Sequence, residues 1–452
     1  MTELAALVLA AGKGTRMRSE RPKVLHPIAN QPMIRHVLAA AAALRPARTI
    51  VVVGPEMDDV AACVAPATTV VQKEQLGTAH AVAQARRALA DFTGDVLILY
   101  GDAPLVTPES LTALVAERRR PPAATAAVMG MRPASPGAYG RLVLEPDGAL
   151  AAIVEAADCT PEQRTLTLCN SGLMAVDARR LFALLDGIRR DNAKGEHYLT
   201  DLVAAARRAG GTCRVLEAPA DELMGVNSRA DLAAAEAAMQ RRLRAEAMAA
   251  GVTLVAPETV FFSADTRIGR DSVVGPFVVF GPGVTVGEGV AIPAFCHIAG
   301  ASIGDRASVG PFARLRPGAE LGAAVHIGNF VEVKNSRLGT GVKANHLAYI
   351  GDSAVGAQTN VGAGAITCNY DGIDKHRTEI GSGVFVGTNV SLVAPVVIGD
   401  GAILAAGSVV TGDVPADALA IARGQQVVKP GRAGAWRDAR RRAKAAKERG
   451  KN

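Results

Sequence analysis

Three clusters of side chains in this 452-residue chain have the types and spacing to do chemistry. Behind the apolar run Leu4 to Leu9 comes Ala10-Ala11-Gly12-Lys13-Gly14-Thr15-Arg16-Met17, followed by Pro22-Lys23. Glycines after a strand let backbone N–H groups approach phosphate oxygens, and Lys and Arg add positive charge. The loop is not a Walker A sequence, because the GxxxxGK[ST] spacing is absent, and it fails the dinucleotide fingerprint because Met17 stands where the third glycine belongs. An ordinary Gly-rich strand-to-helix turn would read the same way. Tyr100-Gly101-Asp102 ends a second apolar run, so Asp102 is placed either to hold a hard cation beside bound phosphates or simply to cap a turn. In the C-terminal half, His346 stands twelve residues after Lys334 and three before Tyr349. A histidine can take a proton near neutral pH, although a lone one is more often structural.

The elements that must position these groups differ between the two halves. From Ile268 to Val410 an aliphatic residue followed by a small one returns every six positions. The count runs through Ile268, Val274, Phe280, Val286, Ile292 and Ile298, drops a residue, and resumes at Ile303 through Val333. It slips again through Leu338, Ile350, Val355 and Val361, and finishes from Ile380 to Val410. Six fits neither the helical period nor simple strand alternation. It fits a parallel β-helix, in which each unit is a short strand and a corner and three units make a coil. The aliphatic residue points inward. Repeats carry binding features in their insertions, and the polar break between Val361 and Ile380 predicts a projecting loop.

The first half reads as an α/β domain of doubly wound type, with Leu4 to Leu9, Thr49 to Val53 and Asp95 to Leu99 as parallel strands separated by Ala-rich helices. Ser228 to Ala250 reads as one long linker helix, capped by Ser228 and closed by Gly251; a core helix of the first domain is the competing reading. Expected boundaries are therefore 1–227, 228–250 and 251–452. No apolar run reaches the roughly 18 residues that span a membrane, and no signal-peptide pattern opens the chain, so a cytoplasmic protein is expected. Six scattered cysteines read as free thiols. Net charge is +7, but Arg437 to Asn452 holds eight Lys or Arg against Asp438 and Glu448. The body is almost neutral, and the tail reads as a solvated, partly disordered end rather than a nucleic-acid patch.

The Leu9–Met17 loop, Pro22-Lys23-Val24-Leu25, Gln72-Lys73-Glu74-Gln75-Leu76-Gly77-Thr78 and Tyr100-Gly101-Asp102 stand in the order found in sugar-1-phosphate nucleotidylyltransferases. The match continues through Tyr139-Gly140-Arg141, Ile153-Val154-Glu155, Asn170-Ser171-Gly172 and Gly225-Val226-Asn227. Hexapeptide units carrying Asn329-Phe330-Val331-Glu332-Val333-Lys334 and Gly364 to Gly372 complete it. Nearly the whole chain resembles the bacterial family of bifunctional N-acetylglucosamine-1-phosphate uridylyltransferase/glucosamine-1-phosphate N-acetyltransferases. The resemblance implies that the β-helix is left-handed, against the general crossover preference. It also implies two reactions of UDP-N-acetylglucosamine synthesis, which feed peptidoglycan and lipopolysaccharide precursors.

For the first domain the resemblance implies that Leu9, Ala10, Ala11 and Gly12 contact the nucleotide, and that Gln72, Gly77 and Thr78 read uracil. Arg16 and Lys23 would bear on the phosphates of UTP. Tyr100 and Gly101 would flank Asp102, which with Asn227 would hold Mg²⁺. Gly140, Glu155 and Asn170 would hold the sugar, although Glu155 alone could be a surface carboxylate. For the second domain it implies His346 as general base, Arg316 and Lys334 on the sugar phosphate, and Tyr349 and Asn360 on the sugar. Ala363, Asn369, Tyr370, Thr388, Ala406 and Arg423 would contact acetyl-CoA, with Thr388 where serine is the family residue. The implied assembly is a homotrimer through the β-helix, with the loop around Asn369 reaching a neighbour's His346. Its partners would be small molecules, not nucleic acid or membrane. A single-function nucleotidylyltransferase with a structural or regulatory β-helix is the alternative.

Overall fold

The computed structural model describes residues 3–190, 192 and 195–449, and the chain divides into two compact units, Met1–Val284 and Thr285–Asn452. The core of the first unit is a sheet that begins at Leu4–Leu9, a strand buried along its whole length. Its alternate residues feed two cores. Ala5, Leu7 and Leu9 pack with the helices Thr78–Ala83, Ala178–Asp186 and Asp201–Arg208, while Leu4, Ala6 and Val8 pack with Met33–Ala43 and Pro108–Arg119. Burial on both faces is why the run is continuously apolar.

The main path of the sheet runs Cys213–Glu217, Ala126–Met131, Cys169–Asp177, Asp95–Tyr100, Leu4–Leu9, Arg48–Val53, Thr68–Val71. The expected strands at Leu4, Arg48 and Asp95 are parallel. Cys169–Asp177 runs antiparallel to both neighbours, and its register against Ala126–Met131 shifts between Asn170 and Met174. Gly172 makes that shift possible: its φ is 89°, and a Cβ there would fall 2.7 Å from the Tyr100 ring.

The long helix spans Arg229–Ala249, with Ser228 as N-cap in a reciprocal box with Asp231. It buries Ala235 and Met239 against Ile28, Met33, Leu105 and Val226, so it is packed into the first unit along one side. The first rungs of the repeat, Thr253–Leu254 paired with Val273–Val274, also lie within this unit.

In the second unit the hexapeptide strands form three parallel ladders. One inward column reads Ile298, Leu315, Val333, Ile350, then Thr367, Leu392 and Val410, each pair in register. The two inward positions that the aliphatic count skips are filled by Ala344, between Ile327 and Val361, and by Thr367, both buried. Thr367 is tolerated there because its hydroxyl accepts the Gly351 N–H at 2.8 Å. Corners are not eased by small residues alone. Phe312, Phe330, Leu347 and Asn389 adopt left-handed φ values of 53–57°. Each such corner costs roughly 1–2 kcal/mol. The rings recover part of that by stacking, Phe295 on Phe312 at 4.9 Å and Phe312 on Phe330 at 5.2 Å, worth about 0.5–1.5 kcal/mol per pair.

The tail differs from expectation. Arg432–Arg449 is an α-helix with no buried residue. Ala residues and the Lys444–Glu448 pair at 3.9 Å favour helix over disorder. Gly450, Lys451 and Asn452 of the expected tail lie outside the described residues. Among the described residues no helix is long and apolar enough to cross a membrane, and all six cysteines are free.

Candidate active sites

A cavity of about 310 Å³ opens at the carboxyl ends of the first unit's strands, where open α/β sheets bind ligands. Leu9, Ala10, Ala11 and Gly12 form one wall, Gln72, Gly77 and Thr78 another, and Tyr100 and Asp102 the floor with Lys23. Gly77 has φ 115°, and a Cβ there would fall 2.4 Å from the His197 carbonyl, so only glycine lets this wall close. Gln72 lines the cavity but is buried, and its amide nitrogen donates to the Gly77 carbonyl at 3.0 Å. Tyr100 is half-buried, and desolvation first, then the carboxylates of Glu155 and Asp102, push its phenol well above its usual pKa.

The Lys23 ammonium is ion-paired with Asp102 and donates to the Asn227 amide oxygen at 3.2 Å. Two oxygens that the family resemblance implies as metal ligands thus converge on one cationic centre. A carboxylate and an amide oxygen are the hard, few-ligand set that suits Mg²⁺, which keeps most of its waters. Asn227 is held by its backbone: its N–H donates to Asp231 at 3.0 Å, in the cap of the long helix, and the next-door Val226 N–H donates to the Asp102 carbonyl at 2.9 Å.

On the sugar side, Asn170 N–H donates to the Gly140 carbonyl at 2.8 Å and its amide oxygen accepts from Gly172 at 2.9 Å. Glu155 accepts from the Thr200 hydroxyl at 3.3 Å. Gly101 packs beneath this wall, where a Cβ would meet Val24 at 3.2 Å. Gly101, Gly140, Glu155, Asn170 and Asn227 stand outside the cavity lining. So does Arg16, which is exposed on the Thr15–Met17 turn. Gln75 and Glu196 do line it and were missed. Gln75 sits inside a quoted motif and donates to the Ala11 carbonyl at 2.6 Å, whereas Glu196 has no sequence pattern that marks it.

In the second unit His346 is exposed on a corner, its Nδ1 2.9 Å from the Asn329 side-chain oxygen. Nδ1 therefore donates, which leaves Nε2 as the proton acceptor. One face over, Arg316 pairs with Glu332 at 2.8 Å and Lys334 lies 3.8 Å from the buried Asp352. Burial acts to raise the Asp352 pKa. Hydrogen bonds from Asn335 and Asn369, with the charges of Lys334 and Lys375, outweigh it and hold the carboxyl below its usual range. Lys375, in the polar insertion, was missed by the sequence reading. Its ammonium faces that of Lys334, which lowers its pKa, and two like charges brought together mark a place for an anion.

Tyr349 stands on the rung of Glu332, and Asn360 on the rung between Lys343 and Phe385. Asn369 does not project as expected: its amide is buried and donates to Asp352 of the same chain, while Tyr370 is exposed. The loop is pinned by Asp371, whose carboxylate accepts from His376 at 2.8 Å and from the N–H groups of Ile373 and Asp374. Along the His346 corner, Gly364 donates to the His346 carbonyl, Asn389 to Ala363, Gly407 to Thr388, and the Arg423 guanidinium to Ala406. Ala363, Thr388, Ala406 and Arg423 thus climb one edge, rung by rung.

Residues 6–166 match the MobA-like NTP transferase domain, and residues 265–300 and 377–412 match the bacterial transferase hexapeptide repeat, the signature of the left-handed β-helix. Fold and sites together define a nucleotidyltransferase joined to a hexapeptide transferase. The bifunctional protein GlmU of Rhodospirillum rubrum is 61% identical over 98% of this chain and 99% of its own length. Those of Paramagnetospirillum magneticum and Gluconacetobacter diazotrophicus are each 55% identical, over 99% and 97% of this chain and 98% and 95% of theirs. The chain belongs to the bifunctional GlmU family.

Proposed function

We infer that the chain is a bifunctional transferase that acetylates glucosamine 1-phosphate from acetyl-CoA and then transfers uridylyl from UTP to the product. The observation that carries this reading is the convergence of Asp102 and Asn227 on a cationic centre inside a cavity walled by the phosphate loop. We assign uridylyl transfer to residues 1–227, acetyl transfer to 251–452, and a linking role to 228–250.

In uridylyl transfer a phosphate oxygen of N-acetylglucosamine 1-phosphate attacks the α-phosphorus, the bond to the β-phosphate breaks, and pyrophosphate leaves. The nucleophile is already an anion, so positioning and charge neutralisation suffice. Leu9 to Gly12 would hold the nucleotide by backbone, Gln72, Gly77 and Thr78 would read uracil, and Gly140, Glu155 and Asn170 would orient the sugar. Asp102 and Asn227 would hold Mg²⁺, which when bound neutralises phosphate charge. Lys23 would then turn its ammonium to the phosphates, and Arg16 reaches them only after its turn moves inward.

In acetyl transfer His346 Nε2 takes a proton from the amine as nitrogen attacks the thioester carbonyl, and CoA leaves as the thiolate. Arg316, Lys334 and Lys375 would bind the sugar phosphate, with Tyr349 and Asn360 on the ring. Ala363, Tyr370, Thr388, Ala406 and Arg423 would line the carrier, with Asn369 acting from behind through Asp352. The exposed corner supports a homotrimer whose neighbour covers this site, working in the cytoplasm on small molecules.

Incubation with glucosamine 1-phosphate, acetyl-CoA, UTP and Mg²⁺ tests the reading. UDP-N-acetylglucosamine, CoA and pyrophosphate are expected. No CoA release in that mixture, together with uridylyl transfer when N-acetylglucosamine 1-phosphate is supplied directly, would leave only the single-function alternative.

A further inference from the structure

Arg229 opens the long helix two residues after Asn227, outside the cavity lining. Its Nε donates to the Met17 carbonyl at 3.2 Å, and Nη1 donates to His26 Nδ1 at 3.3 Å. Met17 ends the turn that closes the phosphate loop. His26 ends the turn that carries Lys23, and its N–H donates to the Lys23 carbonyl at 3.2 Å. One guanidinium therefore ties the phosphate loop, the Lys23 turn and the Asn227 segment together.

Both acceptors stand in dry surroundings. Met17 is 1% exposed and His26 4%. The other ring nitrogen of His26, Nε2, is buried without a hydrogen-bond partner. Removing the Arg229 bond would leave the ring with no partner from this residue and the Met17 carbonyl stripped of a donor, and such groups shift rather than remain unsatisfied. A shift would be passed on, because the loop already touches the Lys23 side chain: a Cβ on Gly14 would fall 2.6 Å from Lys23 Cβ.

We propose that Arg229 is the positioning residue that fixes the phosphate loop and Lys23 relative to Asn227, and so sets the alignment of the triphosphate for attack. This rests on the reading of the first unit as a uridylyltransferase. Misplacing reacting groups by about 1 Å costs on the order of 100-fold in rate, so Arg229→Ala should lower kcat for uridylyl transfer by about that factor. UTP binding stoichiometry by titration calorimetry and acetyl transfer by the same preparation should be unchanged. Arg229→Lys, whose single ammonium reaches one acceptor and not both, should fall between the two. His26→Leu, which removes one acceptor, should give a smaller loss of kcat with the same unchanged stoichiometry. Retention of uridylyl kcat within about threefold in Arg229→Ala, against the ~100-fold expected, would overturn the proposal. So would a loss matched by falling UTP stoichiometry, which marks unfolding instead of misalignment. Absence of uridylyl transfer in the wild type would overturn the parent reading and this inference with it.

Discussion

In the first unit the candidate site is a concavity of about 310 Å³ that loops of one sheet close among themselves, whereas in the second His346, Tyr370, Thr388 and Ala406 stand exposed on the outside of a column. The reason lies in what each fold does with its interior. An open sheet leaves a crevice beyond its strand ends for a ligand. A β-helix fills its interior with its own aliphatic column, from Ile298 to Val410, and has only an outer wall to offer. A wall binds a flexible carrier well only when something else covers it. The comparison predicts that one chain can complete the site for uridylyl transfer, whereas acetyl transfer needs a neighbour.

The strongest way to break this comparison is to silence each site alone. Asp102→Ala should reduce uridylyl transfer on the order of 1000-fold, the scale of losing a preorganised electrostatic group, and spare acetylation. His346→Ala should reduce acetyl transfer by roughly 100- to 10,000-fold and spare uridylyl transfer. Loss of both reactions from either change in folded protein, assayed separately, would defeat the two-site assignment.

The need for a neighbour can be sharpened by mixing. His346→Ala and Tyr370→Ala proteins, each impaired in acetyl transfer, are co-refolded in equal amounts. Random cyclic trimers place both native residues at about one interface in four, so activity should recover toward that fraction. No recovery means that both residues serve within one chain.

A smaller effect tests how rigid the wall is. Asp352 holds Asn335, Asn369 and Lys334, so Asp352→Asn should destabilise the second unit by about 2 kcal/mol, read by chemical unfolding at neutral pH. A carboxyl whose pKa is lowered in the folded state stabilises above its unfolded value and loses that contribution as pH falls through the folded value. The gap between wild type and variant should therefore close in acid. A gap independent of pH would show that Asp352 acts by shape alone. Smallest of all, Thr388→Ser should change kcat/KM for acetyl-CoA by no more than about twofold, as surface substitutions do, because Thr388 meets the ladder through its carbonyl and not its hydroxyl.

Much of this was legible because aliphatic periodicity and glycine-rich turns are local signals. The inward column was readable from Ile298 to Val410, but Ala344 and Thr367 were invisible to a count that looked for large aliphatics. Cys169–Asp177 runs antiparallel to both its neighbours, and its apolar stretch Leu173 to Val176 carries no mark of strand direction, so that could not be read from pattern. Lys375 and Glu196 reach their sites by long-range folding, through an insertion and a loop that carry no period. Arg16 was named by motif order, which says nothing of where a turn points its side chain. The basic tail from Arg437 was expected to be solvated and partly disordered; it is solvated but helical through Arg449, because charge was weighed above its alanines.

The hydrogen-bonded edge from His346 through Ala363 and Thr388 to Ala406 has one further consequence. Strands stack about 4.8 Å apart, so three steps set a span of roughly 14 Å that no side-chain repacking can stretch. The edge is a ruler graduated in whole rungs. A carrier arm laid along it meets its reactive end at the histidine only if the number of rungs is right, so selection can exchange side chains on the edge freely but can lengthen or shorten it only by an entire coil.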